Sequence, residues 1–302
     1  MADGRLEGRV AIVTGASRGL GKAIALAFGA EGAAVAVVAR TEAVWDTRLP
    51  GTIHETVAEI ETAGGRALAV AADLARPDDL DTTVGTVREA LGPITLLVNN
   101  AALTVPGRPP APGAVPRQPS APAAPGPGLQ TATSAGRGSF LEFPLRGYRL
   151  HFDVGVFASY RLMQLVVPDM IDARLGGIVN ISSVAAFVPG EGPYPSPGIP
   201  GAFAYGGNKA ALHHLTQAVA FEMAAYGIAV NVLSPSEAVI TPGNLVQSPG
   251  ITDWASPEDF AEATVRVALA DAAVTTGQIL WSEDVLHPEL GRRGWLPQRT
   301  GA

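Results

Sequence analysis

The stretch VAIVTGASRGLGKAIALAF, residues 10–28, joins an apolar run to a glycine-rich turn and then to a helix-like segment. The run VAIVTG is typical of a strand that is buried on both faces. The glycines of TGASRGLG, residues 14–21, would let the backbone turn sharply and approach a ligand closely. Free N–H groups at the start of the next helix, 21–31, would then meet the charge of a pyrophosphate. The stretch therefore predicts a strand, a phosphate-binding turn and a helix.

Similar units recur along the chain. Further apolar runs are AAVAVVA, RALAVAAD, ITLLVNN, GGIVNIS, IAVNVLS and GQILWS, and helix-like segments lie between them at 52–63, 77–91, 148–173 and 205–226. This alternation indicates repeated βαβ units. The predicted fold is α/β, a three-layer, doubly wound parallel sheet of the Rossmann-like kind, in a single domain over residues 1–302. In such a sheet, ligands bind beyond the carboxyl ends of the strands.

Two segments interrupt the alternation. Residues 105–139 are dense in proline, alanine and glycine and offer too little apolar surface to offset the entropy of ordering. We expect a flexible insertion there. The shorter segment PGEGPYPSPGIPGA, residues 189–202, is interrupted by proline and is expected to form a loop at the rim of the site.

Composition narrows the functional classes. A net charge of −7 without a basic cluster argues against nucleic acid as a partner and favours small molecules. The chain has no cysteine, and no spacing of His, Asp and Glu resembles a metal site, so no metal is predicted. We find no targeting segment and no run of the ~18 apolar residues that would span a bilayer. A cytoplasmic protein without membrane association is expected.

The second strand ends at Arg40 in VAVVARTE, and no acidic residue closes it. An acid about 20 residues beyond the glycine turn usually binds the ribose hydroxyls of NAD, whereas an arginine accommodates the 2′-phosphate of NADP. Arg18 lies inside the turn itself. Two cations at one end of the cleft favour NADP over NAD, although both could also be ordinary surface charges.

Tyr205 and Lys209 stand four residues apart in AFAYGGNKAALHH, residues 202–214, so a helix would place them on one face. Lysine occurs only at Lys22 and Lys209, although Lys and Arg together number 21. A phenol, with a pKa of about 10, exchanges a proton readily at neutral pH only where a nearby cation favours its anion. The pair is therefore a candidate acid–base unit.

Several motifs in order resemble those of the classical short-chain dehydrogenase/reductase superfamily. They are TGASRGLG, AADL (71–74), NNAA (99–102), IVNISS (178–183), the Tyr205–Lys209 pair and VNVLSPS (230–236). The resemblance covers nearly the whole chain outside the two proline-rich segments. Residues 49–68, LPGTIHETVAEIETAGGRAL, resemble more weakly the branch of hydroxysteroid-dehydrogenase-like proteins.

This resemblance implies catalytic roles for Ser183, Tyr205 and Lys209. Tyr205 would be the general acid or base, Lys209 would lower its pKa and hold the nicotinamide ribose, and Ser183 would donate to the reacting carbonyl oxygen. Strand alternation sends Ser182 and Ser183 to opposite faces, so only one should point at the substrate. The implied cofactor-binding residues are Gly15, Ser17, Arg18, Gly19, Leu20, Gly21, Arg40, Asp73, Leu74, Asn99, Ala101, Tyr205, Lys209, Pro235, Val239 and Thr241.

The chain departs from this family at Gly155, in HFDVGVFASYRL, where an asparagine is usual. In the family, that asparagine stabilises a helix irregularity, and its main-chain carbonyl holds a water in the proton relay to the lysine. Gly155 keeps the carbonyl, so Gly155→Asn should leave the rate unchanged or raise it, unless the missing side chain makes room for substrate. NNAA for NNAG and Pro235-Ser236 for PG are milder departures.

The leading hypothesis is an NADP-dependent oxidoreductase that transfers a hydride between nicotinamide and a carbonyl or hydroxyl substrate. The alternatives are an epimerase or lyase of the same superfamily and a nucleotide-binding protein with feeble or no turnover. The resemblance also implies a homo-oligomer, a tetramer or a dimer, that associates through the helices at 148–173 and 205–226. His213 and His214 are expected to be packing or interface residues, and His151 either has a structural role, the favoured alternative, or approaches the cleft.

Overall fold

The structure is a computed structural model that describes residues 4–103, 140–193, 202–247, 251–292 and 294. The insertion expected at 105–139 lies outside the described residues, as does most of the loop expected at 189–202.

The described strands form one parallel sheet in the order β3-β2-β1-β4-β5-β6-β7. Their bounds are β1 Val10–Thr14, β2 Ala34–Ala39, β3 Arg66–Ala71, β4 Leu96–Asn99, β5 Gly176–Ile181, β6 Ile228–Ser234 and β7 Ile279–Trp281. The order reverses direction between β1 and β4, which is the switch point where doubly wound sheets open a ligand crevice. The fold class predicted from the sequence is confirmed.

The helices lie on both faces of this sheet. Their bounds are α1 Gly19–Ala30, α2 Ile53–Thr62, α3 Pro77–Leu91, α4 Leu145–Phe152, α5 Ala158–Ala173, α6 Ala202–Met223, α7 Pro242–Gln247, α8 Pro257–Ala268 and α9 Ser282–Leu286. Local sequence signals determine where several of these helices begin. Thr52 and Glu55 form a reciprocal capping box at α2, Pro77 opens α3, and Ser256 caps α8.

Two long predicted helices differ in detail from the structure. The helix expected at 148–173 begins at Leu145, and the π-helical turn Asp153–Phe157 interrupts it. The helix expected at 205–226 begins at Ala202 and ends in the 3₁₀ turn Ala224–Tyr226. A hydrophobic pattern shows that a helix exists but does not show a one-residue insertion in its hydrogen bonding.

Side chains alternate along each strand between two hydrophobic cores. Val13 joins a core with α1 and α8 that contains Phe28 and Phe260, whereas Ile12 joins a core on the other face with α3 and α5. The helical stretch Leu145–Ala173 contains an 18-residue window of mean hydropathy 1.2 and is long and apolar enough to cross a membrane by length and composition. No segment of membrane-spanning length was expected from the sequence. Its buried residues Leu162, Val166 and Met170 belong to the second core.

Candidate active site

The glycine turn packs its backbone tightly at the end of β1. Gly15 has φ +68° and Gly19 has φ +57°, in the left-handed region that favours glycine. A Cβ on Gly21 would overlap the carbonyl oxygen of Gly15, and one on Gly15 would lie 2.9 Å from Ala101 Cα. Glycine at these positions therefore lets the turn pack closely on itself and on the end of β4, at the N-terminus of α1. This geometry fits a nucleotide pyrophosphate.

The end of β4 holds this turn in place. Thr14 Oγ1 accepts from the backbone N–H groups of Asn100 at 3.0 Å and Ala101 at 3.1 Å. Asn100 Nδ2 in turn donates to the Thr14 carbonyl at 2.9 Å. Thr14 and Asn100 lie in the motifs TGASRGLG and NNAA, but these motifs predicted no role for either side chain.

The side chain of Asn99, a residue that the family resemblance implied would bind the cofactor, is hydrogen-bonded within the sheet. It is 4% exposed, and its Nδ2 donates to Asn180 Oδ1 at 2.8 Å. Asn180 Nδ2 continues the chain to Thr216 Oγ1 on α6 at 2.8 Å. The Asn99 amide is therefore the first member of a hydrogen-bonded chain that joins β4, β5 and α6.

Arg18 and Arg40 lie close enough to interact electrostatically. Burial lowers the pKa of the Arg18 guanidinium, and Arg40 lowers it further, while Asp46 and Glu55 act in the opposite direction. Arg18 Nη2 donates to the Gly51 carbonyl at 3.0 Å. Its buried Nε has no hydrogen-bond partner among the described residues. An unsatisfied buried donor beside a second cation fits a bound phosphate.

Asp46 was not singled out in the sequence. It is 3% exposed and pairs with Arg48, with Nη2 2.8 Å from Oδ2. Hydrogen bonding from Arg48 lowers the pKa of this carboxyl, so it stays ionised near Arg18. Two carboxylates, Asp46 and Glu55, thus act on Arg18 in opposition to Arg40.

The segment after β6 closes over the glycine turn. The Thr241 side chain packs against Gly19, because a Cβ on Gly19 would lie 3.3 Å from Thr241 Cβ. Asn244 fixes this segment by donating to Thr241 Oγ1 at 3.1 Å and to the Val239 carbonyl at 2.8 Å. The other predicted cofactor residues lie in several environments. Ser17 and Leu74 are buried, and Leu20 is partly buried against the first core. The Asp73 carboxylate accepts a hydrogen bond from the Ala75 backbone N–H, and Pro235, just after β6, is half-buried.

Tyr205 and Lys209 are brought together on α6. Lys209 Nζ lies 5.8 Å from the centroid of the Tyr205 ring and donates to the Ile181 carbonyl at 2.6 Å. Lys209 is only 2% exposed, and burial lowers its pKa to about 8. Lys22, by contrast, forms a partly exposed ion pair with Glu59 at 2.7 Å. The two lysines of the chain thus have different environments.

Ser182 and Ser183 have opposite environments, as the alternation predicted. Ser182 is 3% exposed, and its Oγ is 2.7 Å from His213 Nε2. Ser183 is half-buried at the N-cap of the 3₁₀ turn Val184–Ala186, where its Oγ accepts from Ala185 N at 3.2 Å. Accepting this bond leaves the hydroxyl hydrogen of Ser183 free to be donated.

α6 packs directly on the turn that Ser183 caps. A Cβ on Gly206 would overlap the carbonyl oxygen of Ala185, so glycine permits this approach. Tyr205 and Ser183 are therefore carried by two elements in contact at the carboxyl end of β5.

His151 packs against Tyr205, whereas His213 packs against Phe187. The His151 ring lies edge-on to Tyr205, with centroids 6.3 Å apart, and burial and then Lys209 lower its pKa. His213 packs on Phe187 at 5.2 Å, which confirms its predicted packing role, whereas His214 is exposed. Burial, with a further contribution from Lys209, lowers the pKa of His213 to about 4.

Gly155 lies buried in the π-helical turn, and its surroundings argue against the expected tolerance of asparagine there. A Cβ at Gly155 would overlap Asn208 Oδ1 on α6. The space that an asparagine side chain would need is therefore occupied. The Gly155 carbonyl also accepts from Ser159 Oγ at 2.9 Å.

Comparisons with known proteins agree with this arrangement. Residues 9–112 and 129–245 match the family model for short chain dehydrogenase. The chain belongs to the short-chain dehydrogenase/reductase family. It is 29% identical over 286 residues to the 7alpha-hydroxysteroid dehydrogenase of Escherichia coli (strain K12), covering 91% of this chain and 93% of that one.

Solved structures of this family show the same fold with either cofactor. A 7 alpha-hydroxysteroid dehydrogenase complexed with NADH and 7-oxo glycochenodeoxycholic acid has a TM-score of 0.67 at 27% identity, covering 92% of this chain and 93% of that chain. A metagenomic short-chain oxidoreductase in complex with NADP has a TM-score of 0.64 at 27% identity, covering 91% and 97%. The chain is thus an NAD(P)-dependent short-chain dehydrogenase/reductase that acts on CH–OH groups, as its sequence predicted.

Proposed function

We propose that this enzyme uses NADP to interconvert a carbonyl compound and its alcohol, with Tyr205 as the general acid or base. The observation that carries the proposal is the Tyr205–Lys209 pair. A nearly inaccessible ammonium lies 5.8 Å from the centre of a phenol ring, at the carboxyl edge of the sheet. Because burial strengthens electrostatic interactions, this cation favours the phenolate that proton transfer requires.

Tyr205, Ser183 and Lys209 each have a separate role in the proposed reaction. In the reducing direction, the hydride is added to the carbonyl carbon, and the oxygen receives a proton from the Tyr205 hydroxyl. Ser183 donates a hydrogen bond to the same oxygen and so stabilises its developing negative charge. Lys209 stabilises the phenolate that remains. The bound nicotinamide supplies the hydride.

The preference for NADP rests on the phosphate end of the cleft. Arg18 offers a buried Nε without a partner among the described residues, and Arg40 lies close enough to affect its pKa. A 2′-phosphate would accept from Arg18 and be attracted by both cations. The buried carboxylate of Asp46 opposes this attraction, so we expect the preference to be a matter of degree.

The substrate class proposed is a hydrophobic ketone or its alcohol. The resemblance to a hydroxysteroid dehydrogenase supports this class, as does the aromatic cluster beside Tyr205. In that cluster, Phe143 lies 5.2 Å from Phe203 and 6.3 Å from His151, measured between ring centroids. Steroid-sized ketones therefore belong in the first panel of substrates.

The test is an assay of NADPH oxidation against a ketone panel, alongside NADPH binding measured by fluorescence. Turnover of at least one ketone, with tighter binding of NADPH than of NADH, is expected. NADPH binding without turnover on the whole panel would instead favour a nucleotide-binding protein. Conversion of a substrate without net NADPH oxidation would favour an epimerase or lyase.

We also propose that the enzyme acts in the cytoplasm as a homo-oligomer, a tetramer or a dimer. Phe157, Tyr160 and Phe221 are 59%, 46% and 88% exposed in the single chain, on the π-helical turn, on α5 and on α6. Large apolar side chains exposed on long helices are typical of contact surfaces. Light scattering at micromolar concentration should give a multiple of the chain mass, and cell fractionation tests the location.

A further inference from the structure

Asn208 lies on α6 between Tyr205 and Lys209, and it is 2% exposed. Its Nδ2 donates to the carbonyl oxygens of Tyr205 at 2.7 Å and Ala204 at 3.0 Å. Both bonds stay within the turn of α6 that carries the phenol and the ammonium. The carboxamide is therefore held in one orientation at the centre of the candidate active site.

The carboxamide oxygen meets the π-helical turn Asp153–Phe157. A Cβ at Gly155 would overlap Asn208 Oδ1 and would lie 3.0 Å from Asn208 Cγ. Gly155 is buried and does not have a positive φ, so its backbone conformation does not itself demand glycine. The space taken by Asn208 is what excludes a side chain at Gly155.

We propose that Asn208 is a positioning residue for the reaction and that Gly155 is the socket that receives its side chain. Asn208 fixes the turn of α6 that carries Tyr205 and Lys209 against the π-helical turn. The two positions fit each other, because glycine at position 155 leaves the space that the Asn208 carboxamide fills. This role rests on the proposed function, which makes Tyr205 and Lys209 the groups that must be positioned.

A double-mutant cycle tests whether the two positions act as a unit. Gly155→Ala alone should displace the carboxamide and lower kcat by about tenfold, with KM changed by less than about threefold. In the Asn208→Ala background, the same Gly155→Ala change should alter kcat by less than about twofold, because its collision partner is gone. Equal losses in both backgrounds would overturn the proposal. Asn208→Ser takes the place of Asn208→Ala if the latter does not fold.

A second readout separates positioning from simple packing. The chain has five tyrosines, so the ultraviolet tyrosinate titration of the protein minus that of Tyr205→Phe isolates Tyr205. Asn208→Ala should move this component to higher pH, because Lys209 is then held less well against the phenol. An unmoved component together with a lowered Tm would show that Asn208 only packs. The titration needs no turnover, so it decides the role even if the ketone panel shows no activity.

Asn231 provides the matched control. It is a fully buried asparagine on β6, and its Nδ2 donates to the Thr275 carbonyl at 2.9 Å. Asn231→Ala should lower Tm but leave both the Tyr205 titration and kcat within about twofold of wild type. A shift of the Tyr205 component as large as that from Asn208→Ala would mean that general loosening explains both variants, and the proposal would fail.

Discussion

Lys209 Nζ lies 5.8 Å from the centroid of the Tyr205 ring and 2.6 Å from the Ile181 carbonyl oxygen. The ammonium is thus held between the end of β5 and the phenol of the same helical face. Because Lys209 is buried, its charge is poorly screened by water, and its effect on the neighbouring phenol is correspondingly large.

Tyr205→Phe should abolish turnover while NADPH binding persists. The substitution removes the hydroxyl that carries the proton but keeps the ring and its packing. Steady-state kinetics and NADPH fluorescence titration measure the two properties separately. A variant with activity within about threefold of wild type would contradict the role of Tyr205.

Lys209→Arg should be nearly as damaging to turnover. The Lys209 ammonium donates to the Ile181 carbonyl and faces the phenol, and the residue is only 2% exposed. A planar guanidinium cannot replace a compact ammonium in this position. The measurement is kcat over a pH range. Lys22→Arg is the matched control, since Lys22 forms a partly exposed ion pair, and it should retain wild-type kcat. If Lys209→Arg retained the same kcat as Lys22→Arg, Lys209 would be an ordinary charged residue without a role in the reaction.

Replacing both Arg18 and Arg40 by alanine should weaken NADP(H) binding much more than NAD(H) binding. Only the former cofactor carries the 2′-phosphate with which these cations would interact. Binding of both cofactors is measured by fluorescence titration at fixed salt concentration, since salt screens such interactions. If the two affinities fall by the same factor, the arginines do not distinguish the cofactors.

Gly21→Ala should weaken NADPH binding by at least about tenfold, because its Cβ would overlap the Gly15 carbonyl and displace the turn. Gly85→Ala is the control. Gly85 is exposed on α3, and a Cβ there meets nothing within 4 Å. That variant should bind NADPH normally and gain up to about 1 kcal/mol of stability from helix propensity. Normal binding by Gly21→Ala would show that the turn does not hold the pyrophosphate.

Stability should fall as the pH drops below about 6.5 because of His213. Its folded pKa of about 4 lies below the ordinary value of 6.5, so between these pH values only the unfolded chain binds the proton. This contribution to the free energy of unfolding is fully present above the unfolded pKa and is lost toward pH 4, at about 1.4 kcal/mol per pH unit.

Denaturant titrations at several pH values should show this dependence of the free energy of unfolding on pH as a slope. It should flatten in His213→Leu and persist in His214→Leu, whose wild-type side chain is exposed. An unchanged slope in His213→Leu would exclude His213 as its source.

The sequence predicted the sheet, the glycine turn and the Tyr205–Lys209 pair for local reasons. Apolar runs such as VAIVTG match the two-sided burial of a parallel strand, and a spacing of four residues places two side chains on one face of a helix. These features depend on neighbours along the chain. Any fold that forms the predicted elements must show them.

Tertiary structure decided which residues meet between elements. Asn208 and Gly155 belong to different helices, and no periodicity in either segment reveals that one side chain fills the space left by the other. The bond between Ser182 and His213 and the burial of Asn99 against Asn180 depend in the same way on how β4, β5 and α6 pack. The sequence alone determined the elements and the family motifs. Close packing determined the room at Gly155 and the partners of the buried polar groups, because those depend on the relative position of elements distant in the chain.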